Sequence, residues 1–140
     1  SFESRYGYQY TRMHGTPYVM RRRLIAPNHV PCTPQPWGKL VAVSMKTGQH
    51  VWDAPYTVSL GGPIVTAGGL VFVAGAPDRK IHAFDIETGH ELWSGDLPAG
   101  ARATPMTYRA RDGRQYVVVA SGGSDIWGEG DAVVAFALPH

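Results

Sequence analysis
Beyond residue 38 the chain alternates short apolar runs with breaks marked by glycine, proline and aspartate. Within the runs, apolar and polar positions trade places every second residue, as they do on half-buried strands. Strands are predicted at Lys39–Ser44, His50–Asp53, Pro63–Thr66, Leu70–Gly75, Ile81–Asp85, Glu91–Ser94, Thr104–Arg109, Gln115–Ala120 and Ala132–Leu138. None of these runs has the length or period of a long helix. Residues 1 to 38 are less regular. Tyr6, Tyr8, Tyr10 and Thr11 alternate like a strand, and Gly15 with Pro17 forces a turn that places His14 on a loop. Val30 to Gly38 is a proline-rich connector, extended by constraint and poor at joining a ladder. The predicted division is therefore 1–38, an irregular loop-rich segment with an edge strand and the connector, and 39–140, a series of sheet repeats.

The repeat is visible in two stretches. Ala42-Val43-Ser44-Met45-Lys46-Thr47-Gly48-Gln49-His50-Val51-Trp52 returns roughly 40 residues later as Ala83-Phe84-Asp85-Ile86-Glu87-Thr88-Gly89-His90-Glu91-Leu92-Trp93. Each pairs an apolar run with a Thr-Gly turn and sets a tryptophan on the returning strand. Such a turn suits a three-residue hairpin loop with glycine in the left-handed conformation and a bulge beside it, with Ser44 or Asp85 accepting from turn N–H groups. A period of about 40 to 45 residues with several short strands per unit marks a β-propeller. Trp52 and Trp93 are read as packing wedges between neighbouring units. Ala67-Gly68-Gly69 and Arg111-Asp112-Gly113 occupy corresponding turns, and Ala135-Phe136-Ala137-Leu138 echoes the strand before each Thr-Gly. The fold class is all-β: about three propeller blades, each an antiparallel four-stranded sheet. Three blades do not close a ring, so the chain is expected to be the end of a larger protein or one piece of an assembly.

Composition narrows the function. The 140 residues include 17 glycines and 11 prolines, which punctuate strands here because apolar runs recur between them. A net charge of +2 is too mild to argue for nucleic acid. The basic run Arg21-Arg22-Arg23 is read as a solvated loop, with an anionic membrane surface or an acidic partner as the alternative. Cys32 is the single cysteine and cannot form an internal disulfide, so the redox compartment stays open. No apolar run reaches the length of a membrane span, and no zinc-ligand spacing, phosphate loop or Gly-x-Ser-x-Gly elbow occurs.

Several stretches carry a resemblance. Tyr10 to Tyr18, the connector from Pro31-Cys32 to Trp37-Gly38, Ser59-Leu60-Gly61-Gly62 with Thr66 to Gly69, Leu97-Pro98-Ala99-Gly100, and Thr104 to Tyr108 followed by Asp112 to Tyr116 form one ordered set. Together they resemble the C-terminal part of the membrane-bound quinoprotein glucose dehydrogenases, which are similar to the methanol, polyol and quinate dehydrogenases that use pyrroloquinoline quinone (PQQ). The resemblance implies an eight-bladed propeller with PQQ and Ca²⁺ near its axis, oxidation of a sugar or polyol, and electron transfer to ubiquinone. It also implies the periplasmic face of a bacterial inner membrane, and completion of the ring by the remaining blades or a partner chain.

In that family the catalytic aspartate, the calcium ligands and the lysine near the quinone come from earlier blades, and no stretch here matches their motifs. No catalytic residue and no metal ligand is therefore assigned, and this segment alone is expected to be inactive. For cofactor binding the resemblance points to Leu60, Gly61 and Gly62, whose alternative is a bulge where a strand begins, and to Trp127. The substrate-pocket candidates are Ser124, Asp125 and His14; a packing tryptophan and a solvated loop aspartate are the alternatives at 127 and 125. Glucose dehydrogenases carry a histidine after the paired glycines where this chain has Ser124, which points away from glucose toward another sugar or polyol. A non-catalytic propeller scaffold or interaction module built from the same repeat is the alternative function.

Overall fold
The computed structural model describes residues 2–3, 8–23, 34–56, 59–75, 77–124 and 128–138. All twelve elements among them are strands, every pairing is antiparallel, and the chain divides into two compact units, Ser1–Pro34 and Gln35–His140. In the first unit, β1 (Phe2–Glu3), β2 (Tyr8–Arg12) and β3 (Val19–Arg23) form one sheet in that order. The turn predicted at Gly15 joins β2 to β3, with Gly15 at φ 73° and Met13 N–H donating to Tyr18 O. This hairpin corrects the reading of Arg21–Arg23 as a loop. The ladder runs from Arg12 opposite Val19 to Tyr8 opposite Arg23, so cross-strand backbone pairing carries the strand through three consecutive charges.

The second unit holds three sheets in sequence. β4 (Gly38–Val43) pairs with β5 (His50–Tyr56). Next, β6 (Ile64–Val65), β7 (Leu70–Ala74), β8 (Lys80–Asp85) and β9 (Glu91–Asp96) form a four-stranded sheet. Last, β10 (Met106–Arg109), β11 (Gln115–Ser124) and β12 (Gly128–Phe136) form a three-stranded sheet. The predicted strands are present with ends shifted by a few residues. The largest shifts are at the end of β11, expected at Ala120, and the start of β12, expected at Ala132; β11 continues to Ser124 and β12 begins at Gly128 because a register shift between Ser121 and Gly123 absorbs the paired glycines into the ladder.

Burial explains the order of the sheets. On β7 and β8, alternate residues face opposite ways, and both ways are inside. Val71, Val73 and Phe84 pack with Leu40, Trp52, Ala54 and Tyr56 of the β4–β5 hairpin. Phe72, Ala74, Ile81 and Ala83 pack with Leu97, Ala101 and Val119 on the other side, where Val117, Val134 and Phe136 also reach. The central strands thus read as continuous apolar runs because the flanking sheets cover both faces.

The repeated turn ties this arrangement together. Gly48 and Gly89 both adopt φ 71°, and each donates its N–H to the residue four back, Ser44 or Asp85. Ser44 and Asp85 in turn bond the carbonyls of Gln49 and His90, so the loop holds four residues, not the three expected. The bulge is present: pairing skips Val51 in one copy and Leu92 in the other. Asp85 Oδ1 accepts from Thr88 Oγ1 and from the N–H groups of Thr88 and Glu87, and these bonds hold its carboxyl below the ordinary value. Each tryptophan reaches the next sheet. Trp52 Nε1 donates to Ile86 O at 2.8 Å with its ring against Gly89, and Trp93 meets Phe136 edge-on at 5.2 Å.

Candidate functional site
Antiparallel order puts the connections β5–β6, β7–β8, β9–β10 and β11–β12 at one end of the second unit's sheets. Leu60, Gly61 and Gly62 lie on the first of these, and Ser124 ends β11 at the last. Residues 97–104 of the β9–β10 connection run between them. Gly62 N–H donates to Thr104 Oγ1 at 2.9 Å, Gly123 N–H to Gly100 O at 2.8 Å, and Ala101 N–H to Gly75 O at 3.3 Å. Ser121, fully buried, accepts from Ala99 N–H at 2.9 Å and donates to Ala99 O at 2.7 Å. Ser59 Oγ completes the network on Ala74 O. Leu60–Gly62 and Ser124 therefore share one end of the second unit's sheets and are joined through one strap. Neither Ser121 nor Thr104 stood out as a site residue from sequence, although Thr104 opens one of the motifs that carry the resemblance.

Gly61 shows why a glycine is needed there. A Cβ would stand 2.6 Å from Ala103 O, so any side chain would push the strap away. The Gly62 N–H is bonded to Thr104 Oγ1. His14 is exposed on the β2–β3 turn of the first unit. Asp125 and Trp127 lie outside the described residues. Among the described residues, no three His, Cys, Asp or Glu side chains are grouped to hold a metal ion.

A second polar cluster sits between the β4–β5 hairpin and the four-stranded sheet. A pocket of about 440 Å³ opens there, walled by Trp37, Tyr56, Asp78, His82, Phe84 and Glu91. His82, 8% exposed, bonds Asp78 Oδ2 through Nε2 at 2.9 Å and Glu91 Oε1 through Nδ1 at 3.1 Å. Tyr56 stands edge-on to His82 and Phe84, and its buried hydroxyl has no partner among the described residues. Burial, followed by the charges of Asp78 and Glu91, raises the Tyr56 pKa. Burial pulls the His82 imidazole down, but its bonds to Asp78 and Glu91 outweigh this and leave it above its ordinary 6.5.

A raised folded-state pKa gives stability that is complete below the unfolded value and fades as pH rises through the folded one. Unfolding free energy, followed by urea titration, is therefore expected to fall as pH is raised from below 6.5 to above the folded pKa of His82. His82→Gln should remove that component of the pH dependence. A pH profile unchanged by the substitution would refute the assignment.

A family described as "PQQ: Glucose/ethanol/alcohol dehydrogenase, beta-propeller domain" matches residues 2–117. The chain belongs to this PQQ β-propeller family. Among curated relatives, the PQQ propeller chain is 38% identical over 149 residues to the quinoprotein glucose dehydrogenase of Escherichia coli strain K12, covering 90% of this chain and 19% of that protein. It is 39% identical to a probable quinate dehydrogenase (quinone) of Xanthomonas campestris pv. juglandis, over 91% of this chain and 19% of the relative. Among solved structures, the quinohemoprotein alcohol dehydrogenase from Comamonas testosteroni matches with a TM-score of 0.60 and 31% identity, over 71% of this chain and 16% of that one. A europium-containing methanol dehydrogenase matches with a TM-score of 0.55 and 37% identity, over 61% and 15%. The PQQ propeller chain thus spans about a fifth of the curated relatives it matches.

Proposed function
We propose that this segment is the C-terminal part of a quinoprotein dehydrogenase that oxidises a sugar or polyol with PQQ and passes the electrons to ubiquinone, at the periplasmic face of a bacterial inner membrane. The observation that carries the reading is the family match across residues 2–117, which takes in the Leu60–Gly62 connection and the Thr104 strap together. Relatives named for glucose, quinate and glycerol, compounds rich in hydroxyl groups, support the substrate class. PQQ, when bound, accepts the two electrons of the alcohol.

The described residues fit part of a PQQ site and not a whole one. Leu60, Gly61 and Gly62 offer a backbone surface fixed by Thr104, while Ser124 stands at the same end beside the positions of Asp125 and Trp127. In this reading residues 60–62 and Trp127 border the cofactor, and Ser124 and Asp125 face the substrate. The base and the Ca²⁺ ligands lie outside the chain, and no step through calcium is assigned to its residues.

Titration with PQQ and Ca²⁺, followed by tryptophan fluorescence, is expected to give saturable quenching, with no turnover of glucose, glycerol or quinate by the chain alone. Failure to bind PQQ would count against a cofactor-bordering role. Turnover by the chain alone would overturn the placement of the base elsewhere.

A further inference from the structure
The pocket beside His82 holds chemistry that the quinone reading leaves unused. With His82 protonated, Asp78, Glu91 and His82 sum to one negative charge. Lys80, the other cation close to both carboxylates, is committed to Asp96 at 2.8 Å. The apolar walls are the rings of Trp37, Tyr56 and Phe84. Glu91 uses Oε1 on His82, and its Oε2 has no hydrogen bond among the described residues. Asp78 Oδ1 accepts one long bond, 3.3 Å, from Lys80 N–H and has a lone pair to spare. The Tyr56 hydroxyl is buried without a partner among the described residues, a costly condition that a guest or a small rotation of the ring would relieve.

We propose that this pocket binds a small organic cation, a protonated primary amine. An ammonium group brings three donors to a site with spare acceptors and a surplus negative charge, and aromatic faces attract a cation electrostatically. A neutral polyol would donate to the same oxygens but bring no positive charge to the carboxylates or to the ring faces. A single metal ion does not suit the cluster, because Asp78 and Glu91 sit on opposite nitrogens of the imidazole and cannot converge with it on one centre. The volume of about 440 Å³ accommodates a short aliphatic amine.

The site has a built-in signature. The groups facing His82 are Asp78 from the β7–β8 turn, Glu91 from β9 and Tyr56 from β5, with Lys80 two positions before it on β8. A bound ammonium and the His82 proton draw on the same two carboxylates, so each weakens the other. Binding expels the proton, and affinity rises with pH through the His82 titration.

The test is titration of the protein with n-butylammonium chloride, which stays charged across the range, with butan-1-ol and erythritol as neutral controls. Tryptophan fluorescence gives affinity, and the His82 ring resonances report its protonation. Saturable binding about tenfold tighter than either control is expected, strengthening at least about threefold between roughly pH 6 and pH 8 as His82 shifts toward its neutral form. Glu91→Gln, an exposed position where folding is retained, should weaken binding at least about fivefold. Equal binding of butan-1-ol, tighter binding of erythritol, an affinity flat with pH, or an unaffected Glu91→Gln variant would each overturn the proposal.

Discussion
Gly89→Ala is expected to destabilise the protein by about 3–5 kcal/mol, while Gly48→Ala, the same change at the same place in the repeat, costs about 1–2 kcal/mol. Both glycines have φ 71°, where an L-residue is strained, so the backbone penalty is common to the pair. Their surroundings differ. A Cβ on Gly48 meets nothing within 4 Å, whereas on Gly89 it stands 2.5 Å from the Trp52 ring. Alanine at 89 must displace the indole, which also breaks the Trp52 Nε1 bond to Ile86 O and opens the junction between β4–β5 and the central sheet. Urea unfolding of the two variants measures the difference directly. Equal losses would mean that the tryptophan contact contributes little to stability.

Ser121→Val is expected to cost about 2–4 kcal/mol, because valine removes the hydroxyl and adds a carbon to a fully buried site, a carbon that Ser121→Thr adds as well. The hydroxyl serves both polar groups of Ala99, and valine would leave that N–H and C=O buried and unpaired. The strap 97–104 would loosen with it, and so would the Thr104 contact to Gly62. Ser121→Thr keeps the hydroxyl and should recover part of the loss. A Val variant as stable as the parent would show that water replaces the hydroxyl without cost.

The sheets of residues 39–140 were legible because two local signals agree. Apolar alternation marks the strands, and each Thr-Gly marks a reversal that only a left-handed glycine completes. What was hidden depends on pairing. Arg21–Arg23 reads as a solvated charge run until the Gly15 turn lays it opposite Tyr8–Tyr10. Gly122-Gly123 reads as a loop, yet a bulge carries β11 through to Ser124. The hairpin loop gained a residue because its length is set by which N–H reaches Ser44 or Asp85, which composition does not encode.

The candidate site was legible only as motifs. Leu60–Gly62 and Ser124 were named from a resemblance, but the bonds that tie Gly62 to Thr104 and Ala99 to Ser121 cross between sheets, and no spacing rule reports them. The His82 cluster left one faint trace, Asp78 and His82 four residues apart across a strand start. Glu91 joins it only because β8 and β9 pair with Phe84 opposite Glu91.

The central sheet owns no interior. Its hydrophobic residues are buried by other sheets, Val71, Val73 and Phe84 by the hairpin before it and Phe72, Ala74, Ile81 and Ala83 by the sheet after it. A side chain there is constrained less by its own strand than by the residue facing it across a junction. Change at such positions should therefore be tolerated in matched pairs, a gain of volume at Ala83 or Ala74 requiring a loss at Val119 or Val117, so that successive repeats drift together.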